Sequence, residues 1–267
     1  VSGRWLPLLE GVGAATASFS PDGTMLAFTR VPGHILWTCR MPGCTDQTQL
    51  TFSPHLVTMP RWSPDGAQIA VMFRTPGSSY QVGTVPAQGG RLVHLLPPGE
   101  EGADPDWSPD GKLLYFGGVP GVADGSTTSI RLVDLATRQI TSIPESEGMY
   151  TPKVSPDGRY LAAVTTGPLG LAILDRVSGE WSRLPGMRVG YLNWSESSKN
   201  LFVLASSSQG PPKILAVNPA SGKHETVAEI SSLRQPSFSL GDWMGLAPGD
   251  IPLALSDLST DELVAWQ

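Results

Sequence analysis

Apolar residues along this chain come in short unbroken runs, without a helical rhythm. The runs are Met25-Leu26-Ala27-Phe28, Ile69-Ala70-Val71-Met72-Phe73, Leu113-Leu114-Tyr115-Phe116, Leu161-Ala162-Ala163-Val164, Leu201-Phe202-Val203-Leu204 and Pro252-Leu253-Ala254-Leu255. Runs of this length with no polar member predict strands buried on both faces. A further apolar segment follows each one: Ile35-Leu36-Trp37-Thr38, Tyr80-Gln81-Val82-Gly83, Ile130-Arg131-Leu132-Val133, Leu171-Ala172-Ile173-Leu174, Ile214-Leu215-Ala216-Val217 and Leu263-Val264-Ala265-Trp266. After the first five of these comes a more polar strand, as in Arg138-Gln139-Ile140-Thr141-Ser142-Ile143. Polar residues suit an outermost, half-exposed strand.

A turn precedes each unbroken run. Phe19-Ser20-Pro21-Asp22-Gly23 recurs as Trp62-Ser63-Pro64-Asp65-Gly66, Trp107-Ser108-Pro109-Asp110-Gly111 and Val154-Ser155-Pro156-Asp157-Gly158. Trp194-Ser195-Glu196-Ser197-Ser198 is a degenerate copy, and Leu246-Ala247-Pro248-Gly249-Asp250 a weaker one. Proline presets φ, Ser and Asp bond nearby backbone, and Gly accepts positive φ, so the motif is a tight turn between two strands. The copies lie 40 to 52 residues apart. That period is the size of a four-stranded propeller blade. The expectation is an all-β, six-bladed β-propeller of four-stranded antiparallel blades, one domain over residues 1–267.

The sixth unit lacks a fourth strand before the chain stops at Gln267. Gly3-Arg4-Trp5-Leu6-Pro7-Leu8-Leu9 reads like Gly90-Arg91-Leu92-Val93-His94-Leu95-Leu96 of the second unit. The N-terminal strand is therefore expected to complete the last blade and close the ring, covering its open edges. Pro7 is tolerable on an outermost strand.

Composition agrees with this reading: 30 Gly and 25 Pro mean many turns, and 40% hydrophobic residues supply a core. A net charge of −6 without any Lys/Arg cluster argues against nucleic acid as a partner. No apolar run is long enough to span a membrane. The chain starts at Val1 and not Met, which reads as a mature or excised piece of something longer. Cys39 and Cys44 flank the turn signal Pro42-Gly43, so a cross-hairpin disulfide is expected, and with it an oxidising, extracytoplasmic compartment. Two reduced surface thiols are the alternative.

The turn, the period and the flanking Trp resemble the TolB-like repeat, also called the WD40-like or PD40 repeat, over essentially the whole chain. Gly190-Tyr191-Leu192-Asn193-Trp194-Ser195, Trp243-Met244-Gly245-Leu246-Ala247-Pro248 and Asp257-Leu258-Ser259-Thr260-Asp261-Glu262 are similar to the C-terminal propellers of certain soil-bacterial signalling proteins. In those the propeller follows a winged-helix or a Ser/Thr kinase domain, usually across a membrane span. The resemblance implies an extracytoplasmic, periplasmic-side sensor or docking module and transfers no catalytic residue.

No Gly-x-Ser-x-Gly elbow, Walker loop or dinucleotide fingerprint is present, and no metal-ligand spacing, so neither a cofactor nor a metal is expected. The four histidines fall at unrelated repeat positions, and the turn aspartates are explained by turn geometry. The informative columns lie just before the turns. One place before the large apolar residue stand Ser18, Arg61, Asp106, Lys153, Asn193 and Gly245. Three places before it stand Thr16, Met59, Asp104, Thr151, Tyr191 and Trp243, with Tyr150 and Asp242 one further out. Such a column can simply line a watery channel, but its chemical variety also suits a binding funnel. The candidate ligand-binding set is Met59, Arg61, Asp104, Asp106, Tyr150, Lys153, Tyr191, Asn193, Asp242 and Trp243.

The expected function is a non-catalytic binding or sensor module of a larger bacterial signalling protein, and not an enzyme. It would meet a protein, peptide or small ligand at one face of the ring. The alternative is the accessory propeller of an enzyme such as a peptidase, or a propeller hydrolase or lyase with a central-channel site.

Overall fold

A computed structural model describes residues 3–9, 12–119, 128–166, 170–184, 186, 188–207, 210–230, 243–256 and 262–266. It is an all-β propeller of four-stranded antiparallel blades. Among the described residues the strands form six such sheets. Five are chain-consecutive: the sheet of Ala14–Phe19, Met25–Arg30, Ile35–Arg40 and Thr45–Gln49 is followed by four more in sequence order. In the remaining sheet Met244–Ala247, Ile251–Ser256 and Glu262–Trp266 are joined by the N-terminal Trp5–Leu9. Trp5 lies opposite Trp266, Leu6 opposite Ala265 and Pro7 opposite Val264.

The unbroken apolar runs are the second strands of their blades, with neighbouring blades on both sides. Val57, Ile69, Val71 and Phe73 of one blade pack with Ala27 and Leu36 of the preceding one. Leu9, Leu253, Leu255 and Ala265 pack with Leu26 and Phe28, joining the last sheet to the first. The core is thus a series of layers between blades, which is why one strand buries both its faces.

The turn of each of the four Ser-Pro-Asp-Gly copies is a closed hydrogen-bonded unit. In the second copy, Ser63 Oγ donates to Asp65 Oδ1 (2.6 Å) and accepts from the Gln68 amide (2.9 Å), while Asp65 Oδ1 also accepts from the Ala67 amide (3.0 Å). The same serine bonds recur at Ser20, Ser108 and Ser155. The glycine takes positive φ, as at Gly66 (φ 69). Where a tryptophan precedes the turn it ties that turn to the previous blade: Trp62, Trp107 and Trp194 donate their indole N–H to the carbonyls of Ser18, Arg61 and Lys153. The tryptophan of the motif is therefore a staple between blades as well as a core residue.

Cys39 and Cys44 are joined by a disulfide across the hairpin between Ile35–Arg40 and Thr45–Gln49. The polar outer strand of the second blade is shorter than its sequence suggests: only Val93–His94 pairs. Among the described residues no helix is long and apolar enough to cross a membrane.

Candidate functional site at the channel mouth

A β-bulge interrupts the innermost strand in five blades, and in four of them it falls just before the turn. The register shifts between Thr58 and Arg61, Ala103 and Asp106, Tyr150 and Lys153, and Val189 and Leu192, with an earlier shift between Ala14 and Thr16. In the second, third and fourth blades the bulge places Met59-Pro60, Asp104-Pro105 or Thr151-Pro152 opposite one partner residue. Met59, Asp104 and Thr151 all have φ near +50°. Proline is tolerated there because a bulge needs no ladder donor. The proline repeated two places before the large apolar residue, at Pro60, Pro105 and Pro152, is the signal in the sequence from which this bulge could have been found. Bulges re-aim side chains, and these bring Met59, Asp104 and Thr151 to the wall of a cavity of about 470 Å³ at the ring's centre.

That cavity collects most of the candidate set: Met59, Arg61, Asp104, Asp106, Lys153, Tyr191, Asn193 and Trp243 all line it. Tyr150 is half-buried and lies off the lining, its hydroxyl proton held more tightly by burial and by the Asp104 charge. Asp242 lies outside the described residues. Trp243 is buried, its indole packed on Gly245, where a Cβ would come within 2.6 Å of the ring. The rim carries Trp62, Trp107 and Trp194 with the turn prolines Pro21, Pro64, Pro109, Pro156 and Pro248.

Beneath the rim lies an ionic floor. Arg61 Nε donates to Asp106 Oδ1 (3.0 Å), and Arg61 Nη1 reaches a blade distant in sequence to donate to Asn193 Oδ1 (2.7 Å). Asn193 Nδ2 in turn donates to the Met244 carbonyl (2.9 Å). Asp106 Oδ2 accepts from the Val154 amide (2.7 Å), and Asp104 Oδ2 from the Thr151 hydroxyl (2.7 Å). The polar column therefore links blade to blade. Arg61 is not a free contact residue: truncating it would leave the buried Asp106 carboxylate without its cation, so stability falls together with any binding.

Lys153 is buried beside this network. Burial, and then the Arg61 charge, lower its amine to about 8 against the opposing pull of Asp106 and Asp104. Among the described residues no group of three or more His, Cys, Asp or Glu is placed to hold a metal.

No family model matches the chain. It is 27% identical to the uncharacterized peptidase YuxL of Bacillus subtilis (strain 168) over 181 residues, covering 61% of this chain and 26% of the relative. The chain thus spans about a quarter of the length of the curated relative it matches. TolB from Acinetobacter baumannii has a similar structure (TM-score 0.65, 19% identity, 94% of this chain and 62% of that one). So does an oligogalacturonate lyase in complex with manganese (TM-score 0.67, 15% identity, 96% and 77%). A prolyl endopeptidase and a puromycin hydrolase share the fold at 18% and 15% identity. At these identities the solved structures speak for the fold.

The comparisons correct one expectation. A non-catalytic sensor module, and a chain that is no enzyme, gives way to an enzymatic context: the curated relative is a peptidase by name, and the fold's neighbours include peptidases and a lyase. The sequence reading erred by looking for a nucleophile elbow within these 267 residues alone, when the relative extends well beyond the matched part.

Proposed function

We propose that this chain, a β-propeller of the TolB-like repeat family, is the accessory propeller of a larger enzyme of the peptidase kind, with the channel mouth as the face its substrates meet. The similarity to YuxL carries this reading, because it is a match in sequence as well as in fold. A prolyl endopeptidase whose inter-domain dynamics serve catalysis and specificity shares the fold, which supports a propeller working beside a catalytic domain. The absence of a Gly-x-Ser-x-Gly elbow in this chain agrees with that division of labour. The bulge-borne residues Met59 and Asp104 and the aromatic rim would supply contact area and polarity for a ligand.

The ring that frames this face is proposed to be six-bladed and closed by Trp5–Leu9, supported by the pairing of that strand with Glu262–Trp266. An extracytoplasmic location is proposed on the Cys39–Cys44 bridge, since such bonds persist in oxidising compartments. A second reading, a hydrolase or lyase working within the channel, is favoured by Lys153 beside Asp104 and Asp106.

One comparison tests the assignment. The parent protein and the isolated chain are each offered unstructured peptides and a fluorophosphonate probe for activated serines. The parent is expected to cleave peptide and take the label, and the chain alone to do neither. A parent that does neither overturns the reading, while turnover by the isolated chain favours the channel enzyme.

A further inference from the structure

Lys153 is the one lysine of this chain that is not on the surface or at its edge. Lys112, Lys199 and Lys223 are exposed, and Lys213 is half-exposed in an ion pair with Glu229. Lys153 instead lines the central cavity and is 6% exposed. Among the described residues the charged groups facing it are Arg61 from the second blade and Asp104 and Asp106 from the third. Arg61 is already held by Asp106 and Asn193. An amine buried beside another cation loses its proton more easily than an exposed one, and a neutral amine is a nucleophile.

We propose that Lys153 is a nucleophilic amine at which the channel captures small uncharged carbonyl compounds, aromatic aldehydes foremost, as a Schiff base. The cavity, about 470 Å³, is large enough for such a molecule, and its rim of Trp62, Trp107 and Trp194 offers aromatic contact. An uncharged ligand fits because Arg61 has its carboxylate and acceptor already, and because Asp104 and Asp106 on the same lining would repel an anion.

The step balances without any further reactant. The Nζ lone pair adds to the carbonyl carbon and the C=O electrons take up a proton, giving a carbinolamine. Loss of water, carrying the carbonyl oxygen and the two hydrogens that began on nitrogen, leaves a neutral imine, which takes up from solvent the proton that the ammonium had released and becomes the protonated imine. Its positive charge replaces that of the ammonium and faces the same two carboxylates, Asp104 and Asp106. The amine is lowered to about 8, so at neutral pH a substantially larger share of it is neutral than of an ordinary lysine. This chemistry does not depend on the peptidase assignment.

The test is reductive trapping. The intact chain is incubated at pH 7 with benzaldehyde and cyanoborohydride, which reduces the imine to a stable secondary amine, and the five lysines are compared by peptide mapping. Lys153 is expected to carry roughly tenfold or more adduct than any of the other four. Its labelling rate should level off above about pH 8, while theirs continues to rise. Lys153→Arg should abolish the dominant adduct, and if that variant does not fold the map of the native chain decides alone. Equal labelling of all five lysines, or Lys153 as the least labelled, overturns the proposal.

Discussion

Single side chains set the local rules of this molecule. The turn aspartates Asp22, Asp65 and Asp110 are held below the usual carboxylate range, first by the hydroxyl of the serine two places earlier and then by backbone amides. At Asp157 burial is the largest influence and pushes upward, but the bonds from Ser155, the Arg159 amide and Ser198 prevail. A carboxyl lowered on folding stabilises above its unfolded value of 3.8, and that contribution is lost as pH falls through the lower folded value. Acid should therefore loosen the turns only below about pH 4. Ser63 is buried and makes two of the turn's bonds, so Ser63→Ala is expected to cost about 1–2 kcal/mol in denaturant unfolding. Lys153 works in the opposite direction. Its folded value of about 8 lies below the ordinary 10.5, so folding carries a penalty that is full below about 8 and relieved as pH rises toward 10.5. Lys153→Met should gain stability over the native chain at pH 7 and lose that advantage by pH 10. A difference between the two chains that stays constant with pH would refute the burial argument.

Elements carry the next level of organisation. The hairpin of Ile35–Arg40 and Thr45–Gln49 is pinned by Cys39–Cys44, which are only five residues apart. Closing so short a loop is expected to contribute about 2 kcal/mol. Non-reduced protein should weigh two hydrogens less than reduced protein, and free thiols in freshly exported material would count against the bridge. The innermost strands show a different device. Pro60, Pro105 and Pro152 each sit in a bulge, where the missing N–H costs no ladder bond. The residue before each takes a left-handed φ that costs energy for a side chain larger than glycine. The three equivalent positions lie on the wall of one cavity.

Across the whole molecule, stability depends on every blade finding a neighbour. The apolar cluster joining Leu9, Leu253, Leu255 and Ala265 to Leu26 and Phe28 bridges the two chain ends. Deleting residues 1–9 should remove the outer strand of the last sheet and expose an unpaired edge along Glu262–Trp266. A marked fall in melting temperature is expected, together with a new tendency to self-associate. Unchanged melting would show that the N-terminal strand does not close the ring. The Arg61 to Asn193 bond has the same long-range character, joining residues 132 positions apart across the cavity.

The blade period, the turn chemistry and the apolar second strands were legible in the sequence because each depends on residues within a few positions of one another. Ser63, Pro64, Asp65 and Gly66 make their turn almost wherever the chain places them. The columns before the turns were also legible as equivalent positions, and most of their members do meet at one cavity. Their partners were not legible. Whether Arg61 faces ligand or pairs with Asp106 and Asn193 depends on which blades are brought opposite one another. The lowered amine of Lys153 likewise depends on burial and on a charge from another blade. Local geometry follows from neighbouring residues, while charge pairing and burial follow from which blades are packed against and opposite one another, which only the tertiary structure decides.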